Sequence, residues 1–175
     1  NSIKDITSLF NSINYNYSSF IFNNQIKKGF IKFKLETEMD PIGGKINSYK
    51  ISGIVKDAIY NRVGKGNFNN INFNFKSKNK LKKISNLNFN FQNMNLLSKN
   101  IEIKNEKSDN YFIKGDIENE NAMISPNVIF QLANIKQDLL SKVDIPLQSK
   151  NYFSFSLKKN KLKNLKINSV INFGE

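Results

Sequence analysis

The sequence has no cysteine and no histidine. Disulfides and thiol chemistry are therefore excluded, and so are imidazole acid–base catalysis and the common zinc sites. A chain without cysteine is compatible with an oxidising compartment. Proline occurs three times, and arginine only as Arg62. No apolar run approaches the roughly 18 residues of a membrane-spanning helix. The start at Asn1 lacks the basic, apolar and small-residue succession of a signal peptide. The expectation is one β-rich segment, residues 1–175, excised from a longer chain, with any anchor or export signal outside it.

Lysine and asparagine are abundant instead. The net charge is +13, and roughly 30 residues are asparagine, far above ordinary usage. Such a charge suits nucleic acid, an anionic membrane surface, or a drift in composition. Lys, Asn, Ile, Phe and Tyr all have AT-rich codons. A phosphate or guanine partner is normally met by the planar fork of arginine. Lysine without arginine thus reads as composition, and nucleic acid is not the expected partner.

The clearest signal is a period of two, which places alternate side chains on opposite faces of a strand. Ile31, Phe33, Leu35, Thr37 and Met39 alternate with polar residues; so do Ile71, Phe73 and Phe75, and Leu87, Phe89 and Phe91. Tyr49, Ile51, Gly53 and Val55 share one face, and the alternation slips at Ala58 and Ile59, where a bulge would restore it. Further strands are predicted around Ile101 and Ile103, over Tyr111–Asn119, around Phe153 and Phe155, and toward Phe173. The lysine-rich stretches KSKNKLKK and KKNKLKN read as connectors, and residues 1–22 as β. One segment differs: Ser125-Pro126 forms a helix start, and Val128, Leu132, Ile135 and Leu139 follow at helical spacing. The order of elements predicts a mainly β fold. It would be an antiparallel meander forming a curved, half-open sheet or a sandwich, with one α-helix near 126–142.

Searching these elements for chemistry removes most function classes. Gly64-Lys65-Gly66 lacks the spacing of a phosphate loop and leads into no helix, so it reads as a turn. The acidic residues from Asp109 to Glu120 do not follow the calcium-loop pattern. Asp116 and Glu118 would share a strand face, where an acid/base pair is conceivable; the simpler reading is a solvated strand edge. No metal, cofactor or catalytic residue is expected, and the chain is not expected to be an enzyme. What remains is the apolar face, either closed against another layer or open to an apolar ligand.

The segments ISGIVKDAIY, FNNINFNFK, LNFNFQNMNLLSKNIEI and YFIKGDIEN together resemble the AsmA-like family of bacterial envelope proteins, especially its YhdP-type branch. The resemblance lies in strand order and facing and spans about 40% of the chain. It implies a segment of an inner-membrane-anchored periplasmic protein, a bridge-like lipid transporter acting in outer-membrane biogenesis. Its apolar β-groove would conduct phospholipid between inner and outer membranes. The residues implied to contact lipid are Phe73, Phe75, Leu87, Phe89, Phe91, Ile101, Ile103, Ile113 and Ile117. The implied partners are phospholipid acyl chains, neighbouring β-segments of the same chain, and a membrane reached through a region outside this segment. The alternatives are a basic β-domain binding nucleic acid and a purely structural or adhesive β-sandwich.

Overall fold

The computed structural model describes residues 26–41, 46–62, 66–78, 80–91, 94–107, 110–125, 144–159 and 161–173. They form eight strands: β1 (Ile26–Met39), β2 (Ile46–Arg62), β3 (Gly66–Lys78), β4 (Leu81–Phe91), β5 (Met94–Lys107), β6 (Asn110–Ile124), β7 (Ile145–Lys158) and β8 (Lys161–Phe173). All neighbours are antiparallel, and the spatial order is the chain order, β1 through β8. β1 does not pair with β8, so the sheet is open.

The mainly β expectation and the meander hold. A sandwich is not what the described residues form, because all eight strands belong to one sheet. The helix expected at 126–142 and the strands expected in 1–22 lie outside the described residues.

The strands are longer than their apolar cores. Lys76 and Lys78 end β3, and Lys82 and Lys83 begin β4, so KSKNKLKK supplies two strand ends around a short turn. KKNKLKN behaves alike: β7 runs to Lys158 and β8 starts at Lys161. The next pair of strands does the same, with β5 continuing to Lys107 and β6 resuming at Asn110. In each hairpin the pairing continues to the last residues of the strands, Lys78 with Leu81, Lys107 with Asn110 and Lys158 with Lys161. Lysine is a poor strand former in isolation, but each added residue extends the ladder of backbone hydrogen bonds.

Mid-strand irregularities cross the sheet. Asp57, Asn70 and Asn86 all have positive φ, at 52°, 51° and 53°. Asn and Asp enter this left-handed region more readily than other non-glycine residues. The bulge at Asp57 resets the facing as the sequence suggested: Val55 and Ala58 are both buried in one cluster with Ile31, Ile71, Phe73 and Phe75. Asn72 secures this place. Its Oδ1 accepts the Asp57 N–H at 3.0 Å, and its Nδ2 donates to the Asn70 carbonyl at 2.6 Å.

Candidate functional site

The two faces of the sheet have opposite chemistry, and the register shows how each is assembled. One unbroken rank of paired residues runs Phe33, Gly53, Phe75, Ile84, Ile101, Gly115, Phe153 and Ile167, one from each strand. With strands about 4.8 Å apart, this apolar rank is roughly 34 Å wide. The two glycines are places where rings cross the rank. A Cβ at Gly53 would lie 2.8 Å from Phe75 Cζ, and one at Gly115 would lie 2.9 Å from Ile101 Cγ1 and 3.1 Å from Phe153 Cζ.

The neighbouring rank on this face is Leu35, Ile51, Ser77, Lys82, Ile103, Ile113 and Phe155. Ser77 and Lys82 interrupt it on the outer turn of β3 and β4. Beyond the bulges, Phe68 joins the two remaining groups. Its ring lies 4.7 Å from Phe91 and 5.7 Å from Phe89, while Tyr60 meets it edge-on at 5.8 Å. Phe91 and Leu96 then pack against the buried Met94 and Ala122.

All nine residues expected to contact lipid are half-buried or buried. Phe75 and Ile101 share the unbroken rank, with Ile103 and Ile113 paired in the next. Phe73 packs on the Val55–Ala58 cluster, while Phe89 and Phe91 sit around Phe68. Leu87 precedes Phe89 by two residues and pairs with Ser98; Ile117 follows Gly115 by two and pairs with Asn151. Sequence reasoning left out Phe33, Phe68, Ile84, Phe153 and Ile167 as contact residues. The alternation marked Phe33, Phe153 and Ile167 as strand residues, but only the register aligns these and Ile84 with Phe75. Phe68 was masked by the bulge at Asn70, which changes the parity of β3.

Burial is uneven along this face. Among the described residues of this face, Val55 and Ala58 are buried on β2, and Phe89, Met94, Ser98, Asn119 and Ala122 on the adjacent strands β4 to β6. Ile84, Ile101, Ile103 and Ile113, farther along the same strands, are only half-buried. Toward the edges Leu35, Leu162, Leu165 and Ile167 are exposed.

The opposite face is basic. Its rank beside the apolar one reads Lys34, Ser52, Lys76, Lys83, Glu102, Lys114, Ser154 and Lys166. Three glutamates on this side are each straddled by two lysines. Glu36 meets Lys34 and Lys50 at 2.6 and 2.8 Å, Glu102 meets Lys83 and Lys114 at 2.8 and 3.1 Å, and Glu118 lies 3.7 and 4.0 Å from Lys99 and Lys150. The lysine hydrogen bonds hold the carboxyls of Glu36 and Glu102 down at about 2. Lys150 is raised, first by its hydrogen bond with Tyr152, whose ring centroid lies 5.5 Å away.

Asp116 and Glu118 correct the sequence reading, since β6 is an interior strand rather than an edge. Asp116 is buried, and its two carboxylate oxygens accept the backbone N–H groups of Asn100 and Lys99 at 3.1 and 3.0 Å. It closes the stretch where the pairing of β5 with β6 shifts, between Leu97 and Ile101. This is the work of a structural carboxylate, with both oxygens occupied.

Among the described residues no group of His, Cys, Asp and Glu is arranged to hold a metal, and no helix is long and apolar enough to cross a membrane. Comparison with family models, curated proteins and solved structures finds no match.

Proposed function

We propose that this chain is a non-catalytic segment of a periplasmic envelope protein and that the apolar face of its sheet carries phospholipid acyl chains. The observation that supports the reading is the unbroken rank from Phe33 to Ile167. Flanked by half-buried aromatic and aliphatic residues, it offers an apolar strip on one side of a soluble slab. Strands of 11–17 residues give that strip ample length for acyl chains, which fill roughly 15 Å of each bilayer leaflet. Each methylene sheltered from water contributes about 0.8 kcal/mol, so a dry apolar path is favoured over an aqueous one. The inner-membrane anchor belongs to a region outside this segment. Neighbouring β-segments of the same chain would continue the sheet at its edges, which removes unpaired ladders.

Nucleic-acid binding fits less well. Stacking of bases beneath a lysine clamp needs aromatic and basic groups on one face. Here the basic rank, including Lys76, Lys83 and Lys114, lies across the sheet from the clustered rings such as Phe75 and Phe153, and the described rings on its own side, such as Phe112 and Tyr152, form no stacked pair with one another.

The test is crosslinking of a phospholipid with a photoactivatable acyl chain to the full chain, with the adducts mapped by mass spectrometry. Adducts are expected on the Phe73–Phe75 and Phe89–Phe91 strands. Phe75→Asp, on the half-buried part of the face, should lower their yield about tenfold while the β circular dichroism is retained. Adducts confined to the lysine face, or an unchanged yield in that variant, would refute the proposal.

A further inference from the structure

An open cleft of about 800 Å³ lies on the basic face, away from the acyl-chain strip. Its lining comes from β3 to β6: Lys78, Lys80, Leu81, Lys104, Phe112 and Lys114, with Glu102 and Glu106. The register explains why these meet. Lys78 pairs with Leu81, Leu81 with Lys104, and Lys104 with Phe112, so cationic and apolar side chains alternate across four strands. That rank spans roughly 14 Å. The turn between β3 and β4 is held against β5 by the Asn105 N–H, which donates to the Lys80 carbonyl at 2.8 Å.

The charges of the cleft are not balanced. Glu102 is already engaged by Lys83 and Lys114, and Glu106 accepts a hydrogen bond from Asn110 Nδ2 at 3.1 Å. Lys78, Lys80 and Lys104 are exposed and make no ion pair with a described residue. Lys78 and Lys104 flank Leu81 on either side, so their flexible stems can bring both ammonium groups to one anion above it. Leu81 remains 38% exposed in an otherwise polar setting, and Phe112 adds a half-buried ring. Lysines alone would suit any anion. Lysines around an apolar floor select one that also carries hydrocarbon.

We propose that this cleft binds a phosphate monoester bearing a short hydrocarbon chain, the phosphate between Lys78, Lys80 and Lys104 and the chain over Leu81 and Phe112. A monoester near neutral pH carries close to two negative charges, which matches several free lysines better than a monoanion does. The source is either the headgroup end of a lipid or a soluble alkyl or isoprenoid phosphate. The site lies across the sheet from the acyl-chain strip and does not depend on the function proposed above.

The experiment is titration of the full chain with hexyl phosphate, inorganic phosphate and hexanol, followed by calorimetry and backbone NMR. Hexyl phosphate should bind at least about tenfold more tightly than either fragment, since each buried methylene contributes up to about fourfold. Shifted resonances should centre on Leu81, Lys104 and Phe112. Lys78→Gln with Lys104→Gln should weaken hexyl phosphate about tenfold, the scale of a hydrogen bond to a charged group. Leu81→Ser should close the gap between hexyl and inorganic phosphate. To distinguish the two sources, dihexanoyl phosphatidic acid is titrated alongside: tighter binding than hexyl phosphate assigns a lipid headgroup, equal or weaker binding a soluble phosphate. Equal affinity for inorganic phosphate would reduce the site to a counterion patch and overturn the proposal. Equal affinity for hexanol, or shifts centred on Phe75 and Ile101, would overturn it too.

Discussion

Among the described residues, Asp116 should be the most costly single carboxylate to remove. Its two oxygens accept the N–H groups of Lys99 and Asn100 at 3.0 and 3.1 Å, where the β5–β6 ladder shifts. Asp116→Ala removes both acceptors. An unsatisfied buried donor costs about 1–3 kcal/mol, and water reaching a partly buried pair brings the total to roughly 2–4 kcal/mol. In a chain of this size that is a fall in Tm of about 4–16 °C. Asp116→Asn keeps one oxygen and turns an amide NH2 toward the other N–H, so it should fall between Ala and wild type. Glu118 is the control two residues away. Its lysines are 3.7 and 4.0 Å distant and their side chains are 71% and 42% exposed, so Glu118→Gln should cost less than about 1 kcal/mol. Urea denaturation gives the order, and hydrogen exchange at Ile101 and Ile103 should accelerate in the Ala variant. Asp116→Ala within about 0.5 kcal/mol of wild type would refute the reasoning, because surface substitutions already scatter that far. Equal losses at Asp116 and Glu118 would refute it as well.

Gly53→Ala and Gly115→Ala should each destabilise by about 1–3 kcal/mol through overpacking, read from the urea midpoint. Gly53 should be worse, because its new Cβ would press on two backbone atoms, the Lys32 carbonyl and Phe33 Cα at 2.9 Å, where Gly115 meets one, the Asn100 carbonyl at 2.9 Å. Glu36 and Glu102 ionise at about 2 instead of 4.5, so the folded state favours their charged forms. Their contribution is therefore complete above pH 4.5 and is lost as pH falls toward 2. Tm measured from pH 5 to pH 2 should fall through this window, and Glu102→Gln or added salt should shrink the fall.

The strands and their facing were legible in the sequence because alternation is local: Phe73–Asn74–Phe75 and Phe89–Asn90–Phe91 can present one greasy side only as β-structure. The bulge in β2 was legible for the same reason, since Val55 and Ala58 break a period of two and must be brought back to one face. The lysine-rich strand ends were not legible, because their ladder bonds form with a partner strand and owe nothing to their own composition. Asp116 was misread for a related reason: its partners are 16 and 17 residues away, and nothing near it in sequence announces them.

The sequence by itself therefore determined a set of one-sided strands and excluded histidine- and cysteine-based chemistry. Only the tertiary structure decided that Gly53 and Gly115 fall in the same rank as Phe75 and Phe153, making an apolar strip across all eight strands. It also placed Lys78, Leu81, Lys104 and Phe112 side by side on the other face. The physical reason is that facing is set by each strand's own pleat, whereas register is set between strands. A one-residue slip leaves every strand's alternation intact but breaks every rank.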